Sequence, residues 1–488
     1  MHNSAIPRSV PALFLLILLS ICFLPDRSSA QDGFTLGTAM PDTSLSGQWG
    51  GSITSISRQW WRLILHVTAY PNGPCEAYFD RPDRSLFGIR FRNASCMPDK
   101  LLFFDEQTNV RFEGSYDPFD KSISGTWTEN GNKQPLRLRK IVTVQKFQEP
   151  TTDVPYITSD VKVINRRAGV RLEGTLCQPS LSGRFPVVLF ISDGGPQDRN
   201  GEVGGHKPFL VIADAFARRG FAALRVDDRG MGHSTGKPST MTVEDVADDA
   251  VAAIDYLRAN PNVDTNRIFL YAHGEGGLAA VLASRMRPQV RGICAAATPA
   301  VAGTELLTSQ IEAMETKRGT STNVVDTYTD LISKWIHILE NTIDDDEAVK
   351  AMGQVADAVA RNTPSLKGMP EFSELYGPDR NDYLRVVIMP WLLSYMKMDA
   401  PGILRSVGVP VLALYAEKDV TVPADINSAA MSNVLDAAGV QGTVLTIDGV
   451  NHQFQSCTEC SPEESERLAE TIRPSVLSIV LDWADGIR

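Results

Sequence analysis

The chain has 488 residues, of which 43% are hydrophobic and 22% charged, with a formal net charge of −11. Such a length and composition describe a globular protein of two or three domains and exclude a disordered or fibrous one. An acidic balance without basic clusters also argues against nucleic acid or an anionic membrane surface as partner.

Residues 1–30 stand apart from the rest. Arg8 gives a weak positive start, Ala12 to Leu24 is almost wholly apolar, and Ser28-Ser29-Ala30 places small residues where a leader is cut. This pattern predicts a cleavable signal peptide, cleavage near Ala30, and export to the periplasm or the exterior. An uncleaved anchor is the alternative, although the run is shorter than the ~20 residues a span needs. No other stretch is long and apolar enough to span, so no stable membrane insertion is expected after the leader is removed.

Residues 40–147 read as short alternating strands, WWRLILHVTAY, CEAYFD, FGIRFRN, KLLFFDEQ, VRFEGSYD, SISGTWTEN and PLRLRK, separated by turn residues. A small antiparallel barrel or sandwich follows. Cys75 and Cys96 would close a loop inside it. Trp60, Trp61 and Tyr70 could form a surface aromatic patch, which would suit a binding module, or fill the barrel core.

Residues 148–160, with Pro150 and Pro155, read as a linker. From 161 to 488 two leading strands give way to short apolar runs alternating with helical patterns: PVVLFIS, FAALRVD, RIFLYA, VRGICAAA, VPVLALYA and GTVLTIDGV are the runs. Buried runs alternating with helices imply a mostly parallel, doubly wound sheet covered on both faces. The interruption at about 303–399 is helical in pattern, and its place after a strand predicts a cap over the ligand crevice.

FLYAHGEGGLAA, Phe269 to Ala280, carries the chemical question. An apolar strand, a glycine-rich corner and a small-residue helix start form the nucleophile elbow of an α/β-hydrolase, in which the acid and the histidine follow in chain order. Asp419 in VLALYAEKDVTVP and His452 in LTIDGVNHQFQ stand in that order, but the corner is Gly274 and has no hydroxyl.

From about Val161 the chain resembles secreted or periplasmic α/β-hydrolases of the esterase type. The resemblance rests on ISDGGPQDRNG, LRVDDRGMGHSTG, AHGEGG, MPWLLSYMKMDAPGILRSVGVPVLALYAEKDVTVP and GVNHQFQ. The β region, with GTWTEN and PLRLRK, is similar to one that often precedes them. The resemblance implies hydrolysis of a small acyl or ester substrate by Ser, His and Asp, without cofactor. It casts Asp419 as orienting acid, His452 as general base, the Glu275 backbone N–H as one oxyanion donor and Gly194 or Gly195 as the second. Two departures stand out: Gly274 replaces the serine, and Asp193 replaces a glycine that usually opens the first loop. A carboxylate pointing inward there would oppose a developing oxyanion.

Asp228 and Arg229 are expected to fix their loop as an ion pair, with Ser234 a conceivable replacement nucleophile. Glycines near Gly194 lack the GK[ST] ending of a phosphate loop. His206, His233 and His273 show no metal-ligand spacing, and no metal is expected. Cys457 and Cys460 read as a local loop staple or two free thiols.

Without a hydroxyl no acyl-enzyme forms, although glycine suits the strained elbow well. The readings left open are a non-catalytic binder of an acyl, ester or peptide-like ligand, a slow hydrolase in which His452 activates water, and an active esterase inactivated by one substitution.

Overall fold

A computed structural model describes residues 45–488 apart from 55–59, 70–74, 82–85, 98–99, 107, 130, 142–143, 152, 196, 238–240, 343, 365–374, 377–379, 389–394 and 488. The expected leader and Tyr70 lie outside the described residues, as do the side chains of Trp60 and Trp61. The described chain divides into a β unit ending before Val144 and an α/β unit from Val144 onward.

In the β unit, β1 (Gly47–Thr54), β2 (Trp60–Ala69), β3 (Cys75–Arg81), β4 (Leu86–Arg90), β5 (Asn93–Met97), β6 (Lys100–Asp105), β7 (Val110–Asp117), β8 (Ser122–Glu129) and β9 (Asn132–Lys140) form one antiparallel sheet. Its order is β4-β3-β2-β1-β9-β8-β7-β6-β5. Period-two alternation turns Leu101 and Phe103 of β6 inward, and Val110 and Phe112 of β7 with them. Trp49, Phe79, Phe91 and Trp127 complete an aromatic core, with Phe79 edge-on to Trp127 at 5.2 Å between centroids. A disulfide between Cys75 and Cys96 joins β3 to β5 at the far edge. One continuous curled sheet is a barrel-like solution, not the sandwich of two sheets that the sequence left open.

The α/β unit opens with the hairpin β10 (Ile157–Asn165) and β11 (Val170–Gln178), followed by β12 (Phe185–Ile191), α1 (Pro208–Arg218), β13 (Ala222–Val226), α2 (Val243–Ala259), β14 (Val263–His273), α3 (Gly276–Met286) and β15 (Val290–Ala296). Then come α4 (Gly303–Lys317), α5 (Thr322–Asn341), α6 (Asp345–Asn362), α7 (Arg380–Val387), α8 (Ala400–Leu404), β16 (Val411–Ala416), α9 (Ala424–Ala438), β17 (Gly442–Ile447), α10 (Pro462–Arg467) and α11 (Pro474–Gly486). Sheet order is β10-β11-β13-β12-β14-β15-β16-β17, parallel from β13 to β17.

This is the α/β-hydrolase fold. The chain leaves β12 for β13 on one side and returns to β14 on the other, so direction reverses at β12. Ligands bind outside the carboxyl ends of strands at such a switch point. Helices α4 to α7 fill the interruption between β15 and β16. Gln310 of α4 donates to the Thr421 carbonyl and to the Tyr395 hydroxyl, which ties the insertion to the loop carrying Asp419.

Part of the expected linker 148–160 is built into this unit instead. The Gln148 side chain donates to the Ile472 carbonyl and accepts from the amides of Thr471 and Ile472, and β10 begins at Ile157. Its prolines end the β unit's rhythm without freeing the chain, because buried backbone groups beside it find partners there.

Candidate active site

Register brings the two departures in the sequence together. In the parallel pairing of β12 with β14, Ile191 lies opposite Ala272. Two residues further along, Asp193 leaves β12 opposite Gly274 at the elbow. Gly274 has φ +52°, a left-handed backbone that costs glycine little, and its amide donates to the Ala296 carbonyl. The helix beyond must pack close. A Cβ on Gly276 would strike the Ser192 carbonyl, and one on Gly277 would strike Thr298.

The space over Gly274 is filled. A Cβ built on Gly274 would overlap the Asp193 carboxylate, with Oδ2 still only 2.7 Å away. Asp193 points inward, the arrangement that opposes an external oxyanion. Its Oδ1 accepts the Glu275 amide at 3.0 Å and the Gly194 amide at 2.7 Å, the two donors the resemblance assigned to an oxyanion hole. Helix α3 begins at this point, so its N-terminal dipole also favours a negative charge. Gly195 turns the loop with φ +82°.

The other oxygen faces two imidazoles. Asp193 Oδ2 lies 3.3 Å from His452 Nε2 and 3.7 Å from His273 Nδ1. On its far side His452 Nδ1 meets Asp419 Oδ2 at 2.7 Å. Asp419 is anchored through Oδ1, which accepts the amides of Thr421 and Val422. His273 Nε2 bonds the His452 carbonyl at 3.1 Å, and the two rings stand edge to face at 4.6 Å. His452, Asp419 and Gly274 therefore converge, with Asp193 between them.

These groups are nearly dry, with 13% of the His452 side chain and 7% of the Asp193 side chain exposed, so charges act on one another with little screening. Burial works to lower His452, but the Asp419 charge, hydrogen bonds with Asp193 and Asp419 and the Asp193 charge push it up to about 10. Burial would raise Asp193; hydrogen bonds and charge from His273 and His452 outweigh it and hold the carboxyl well below the usual range. Burial and the Asp193 charge push Glu275 up to about 8. At neutral pH the centre is an imidazolium between two carboxylates, with a protonated carboxyl beside it.

Asp193 Oδ2, His273 Nδ1 and His452 Nε2 lie within 4.8 Å of one another and are a conceivable cation-holding set. Cys457 and Cys460 are joined in a disulfide, so the group they make with Glu464 has no thiolate.

Other expected residues lie elsewhere in the network. Arg229 pairs with Asp245 and Asp249 of α2, not with Asp228. Asp228 accepts from the Ser192 hydroxyl and the Gln197 amide, while Asp227 pairs with Arg199. The strand ends at Val226 and Arg229 already lies in a turn, so neighbours in sequence found different partners. The Ser234 hydroxyl donates to the Asp227 carbonyl and accepts the Glu173 amide, a structural role. His206 meets Thr471 and the Ser465 carbonyl.

The family model described as "Serine aminopeptidase, S33" matches residues 207–456, just over half of the chain. Esterase EstD of Thermotoga maritima is 30% identical over 207 residues, which cover 42% of this chain and 45% of that protein. The uncharacterized peptidase YtmA of Bacillus subtilis is 26% identical over 142 residues, 29% of this chain and 50% of that one. The chain thus spans no more than half the length of these curated relatives. A malate-bound thermophilic esterase from Thermogutta terrifontis superposes with a TM-score of 0.36 at 18% identity, covering 67% of this chain and 99% of that one.

Proposed function

The chain belongs to the α/β-hydrolase family described as serine aminopeptidase, S33, and from that premise we propose that it is an esterase-type protein acting on small molecules without any acyl-serine intermediate. The observation that carries this reading is the Asp193 carboxylate standing over Gly274 with one oxygen on the amides of Glu275 and Gly194. A substrate carbonyl cannot place its oxygen on donors already taken. Loss of a triad nucleophile alone costs on the order of 10⁶ in turnover. The usual residue of ~10³–10⁴ over water comes from the oxyanion hole and binding, and a filled hole forfeits that as well. Direct activation of water by His452 is disfavoured too, because its imidazole holds its proton up to about pH 10.

Two substitutions, not one, separate this site from a serine esterase. Gly274→Ser alone meets the Asp193 carboxylate. Wild type and that single variant should resist a fluorophosphonate probe and leave p-nitrophenyl acetate and butyrate uncleaved. Asp193→Gly with Gly274→Ser should label and hydrolyse both. A probe-labelled wild type, or a folded double variant that stays inert, would sink the reading.

Export is part of the same proposal. It is supported by the apolar stretch Ala12 to Leu24 before Ser28-Ser29-Ala30 and by the disulfides Cys75–Cys96 and Cys457–Cys460, which suit an oxidising compartment. N-terminal sequencing of the exported chain should begin at or near Gln31.

A further inference from the structure

Resting on that reading, we propose that Asp193 is itself a nucleophile, toward saturated carbon: its Oδ2 displaces the leaving group of a small alkyl halide or epoxide, and water then cleaves the aspartyl ester under His452.

What a carboxylate attacks decides the substrate class. Addition to an ester carbonyl would yield an anhydride, more reactive than the ester consumed. Displacement at a saturated carbon yields an ester, and hydrolysing esters is what the rest of this site is arranged to do. Asp193 Oδ1 already occupies the position of an ester oxyanion, on the amides of Glu275 and Gly194. Among the described residues no backbone amide donates to Oδ2, which faces the imidazoles of His452 and His273. The ester presented to the family's apparatus is then the protein's own.

In the first step a lone pair on Oδ2 forms the O–C bond as the bond to the leaving group breaks, its electrons departing with halide or with the opened epoxide oxygen. An epoxide needs a proton there. The Glu275 carboxyl lies against Gly194, where a Cβ would come within 2.9 Å of it, and it supplies that proton. Alkylation makes Asp193 neutral and removes part of what keeps His452 charged. The imidazole then sheds a proton to solvent, regained when the carboxylate is restored, so the base is released only once there is an ester to cleave.

In the second step His452 Nε2 takes a proton from water as the water oxygen bonds to Asp193 Cγ. The tetrahedral oxyanion rests on Oδ1. Collapse breaks the bond between Cγ and Oδ2, and the alcohol leaves with that oxygen and the proton from His452. One carboxylate oxygen now comes from water. Its remaining proton returns to Glu275 after epoxide opening, or goes to solvent with halide.

The test uses 1,2-epoxybutane and 1-bromobutane on the full chain. Removing a general base slows its step on the order of 10²–10⁴, so His452→Ala and His452→Gln should each accumulate one adduct on the peptide containing Asp193, by mass spectrometry. Wild type turning over once in ¹⁸O water should carry one heavy oxygen in that peptide, and Asp193→Asn should form no adduct. Labelling by the epoxide alone points to a strained ether as the natural electrophile; labelling by both points to the wider class. No adduct with either reagent in folded His452 variants, or heavy oxygen found only in the product, overturns the proposal. If the Asp193→Gly, Gly274→Ser variant is meanwhile an active esterase, the reading of the site's lineage stands and this inference alone has failed.

Discussion

Two loops put a carboxylate on opposite sides of one imidazole, and they hold it in different ways. The loop after β16 presents Asp419 to His452 Nδ1 at 2.7 Å, its other oxygen tied to two local amides. That is the arrangement of the orienting acid in a Ser-His-Asp triad. The loop after β12 presents Asp193 to Nε2 at 3.3 Å, on the side where a serine hydroxyl would stand. On the proposed reading, the acid and base of a triad stand in place, while a carboxylate from the loop after a neighbouring strand takes the nucleophile's side.

The largest effect should come from changing the nucleophile's side. Asp193→Gly with Gly274→Ser should raise p-nitrophenyl ester turnover by a factor of up to ~10⁶ over wild type, and neither single change should approach it. Such non-additivity is expected of two groups competing for one volume. Next in size is the side of the orienting acid. In that double variant, Asp419→Asn should cost about 10⁴ in turnover, since the imidazole would take the wrong tautomer. If it costs nothing, Asp419 is not the orienter and the two loops do not differ as described.

The pH dependence sharpens the comparison without activity. His452 is raised from 6.5 to about 10, so the stability it contributes is fully present below pH 6.5 and is lost as pH rises through about 10. Asp193 is depressed, so its contribution is present above its ordinary value of 3.8 and is lost as pH falls below it. Asp193→Asn should lower the His452 midpoint and shrink the alkaline loss, read by the imidazole proton resonance and by melts between pH 6.5 and 10. A wild-type imidazole titrating near 6.5 would show that the carboxylate does not face it.

Much of this site was legible in the sequence, and the reason the rest was not is geometric. The elbow from Leu270 to Gly277, with Asp419 and His452 after it in order, is a local pattern, and the parallel sheet follows from the alternation of buried runs. Gly274 and Asp193 are each visible as departures. That the Asp193 carboxylate fills the volume over Gly274 depends on Ile191 pairing with Ala272, a register between strands some eighty residues apart that no local pattern fixes. Sequence spacing speaks only to whether His273 could bind a metal, yet its ring lies 4.6 Å from His452 because both close the same corner. Adjacency misleads for the complementary reason at Asp228 and Arg229: the turn that begins at Arg229 sends its side chain to Asp245 and Asp249 instead.

The smallest expected effect concerns what holds the loop after β12. Ser192 precedes Asp193, and its hydroxyl lies 2.8 and 2.7 Å from the two Asp228 oxygens. Burial, with the charges of Asp249 and Asp227, pushes Asp228 up to about 7 against the hydrogen bonds from Gln197 and Ser192. Folding therefore favours its neutral form, and stability from this group is present below its ordinary value of 3.8 and lost as pH rises through about 7. Ser192→Ala removes a donor whose bond matters most once Asp228 is charged. It should destabilise by about 1.5–3 kcal/mol at pH 8 and by about 1 kcal/mol at pH 5. Urea melts at the two pH values measure the difference. Equal losses would mean that Asp228 keeps one charge state from pH 5 to pH 8: a charged one if both are about 1.5–3 kcal/mol, a neutral one if both are about 1 kcal/mol.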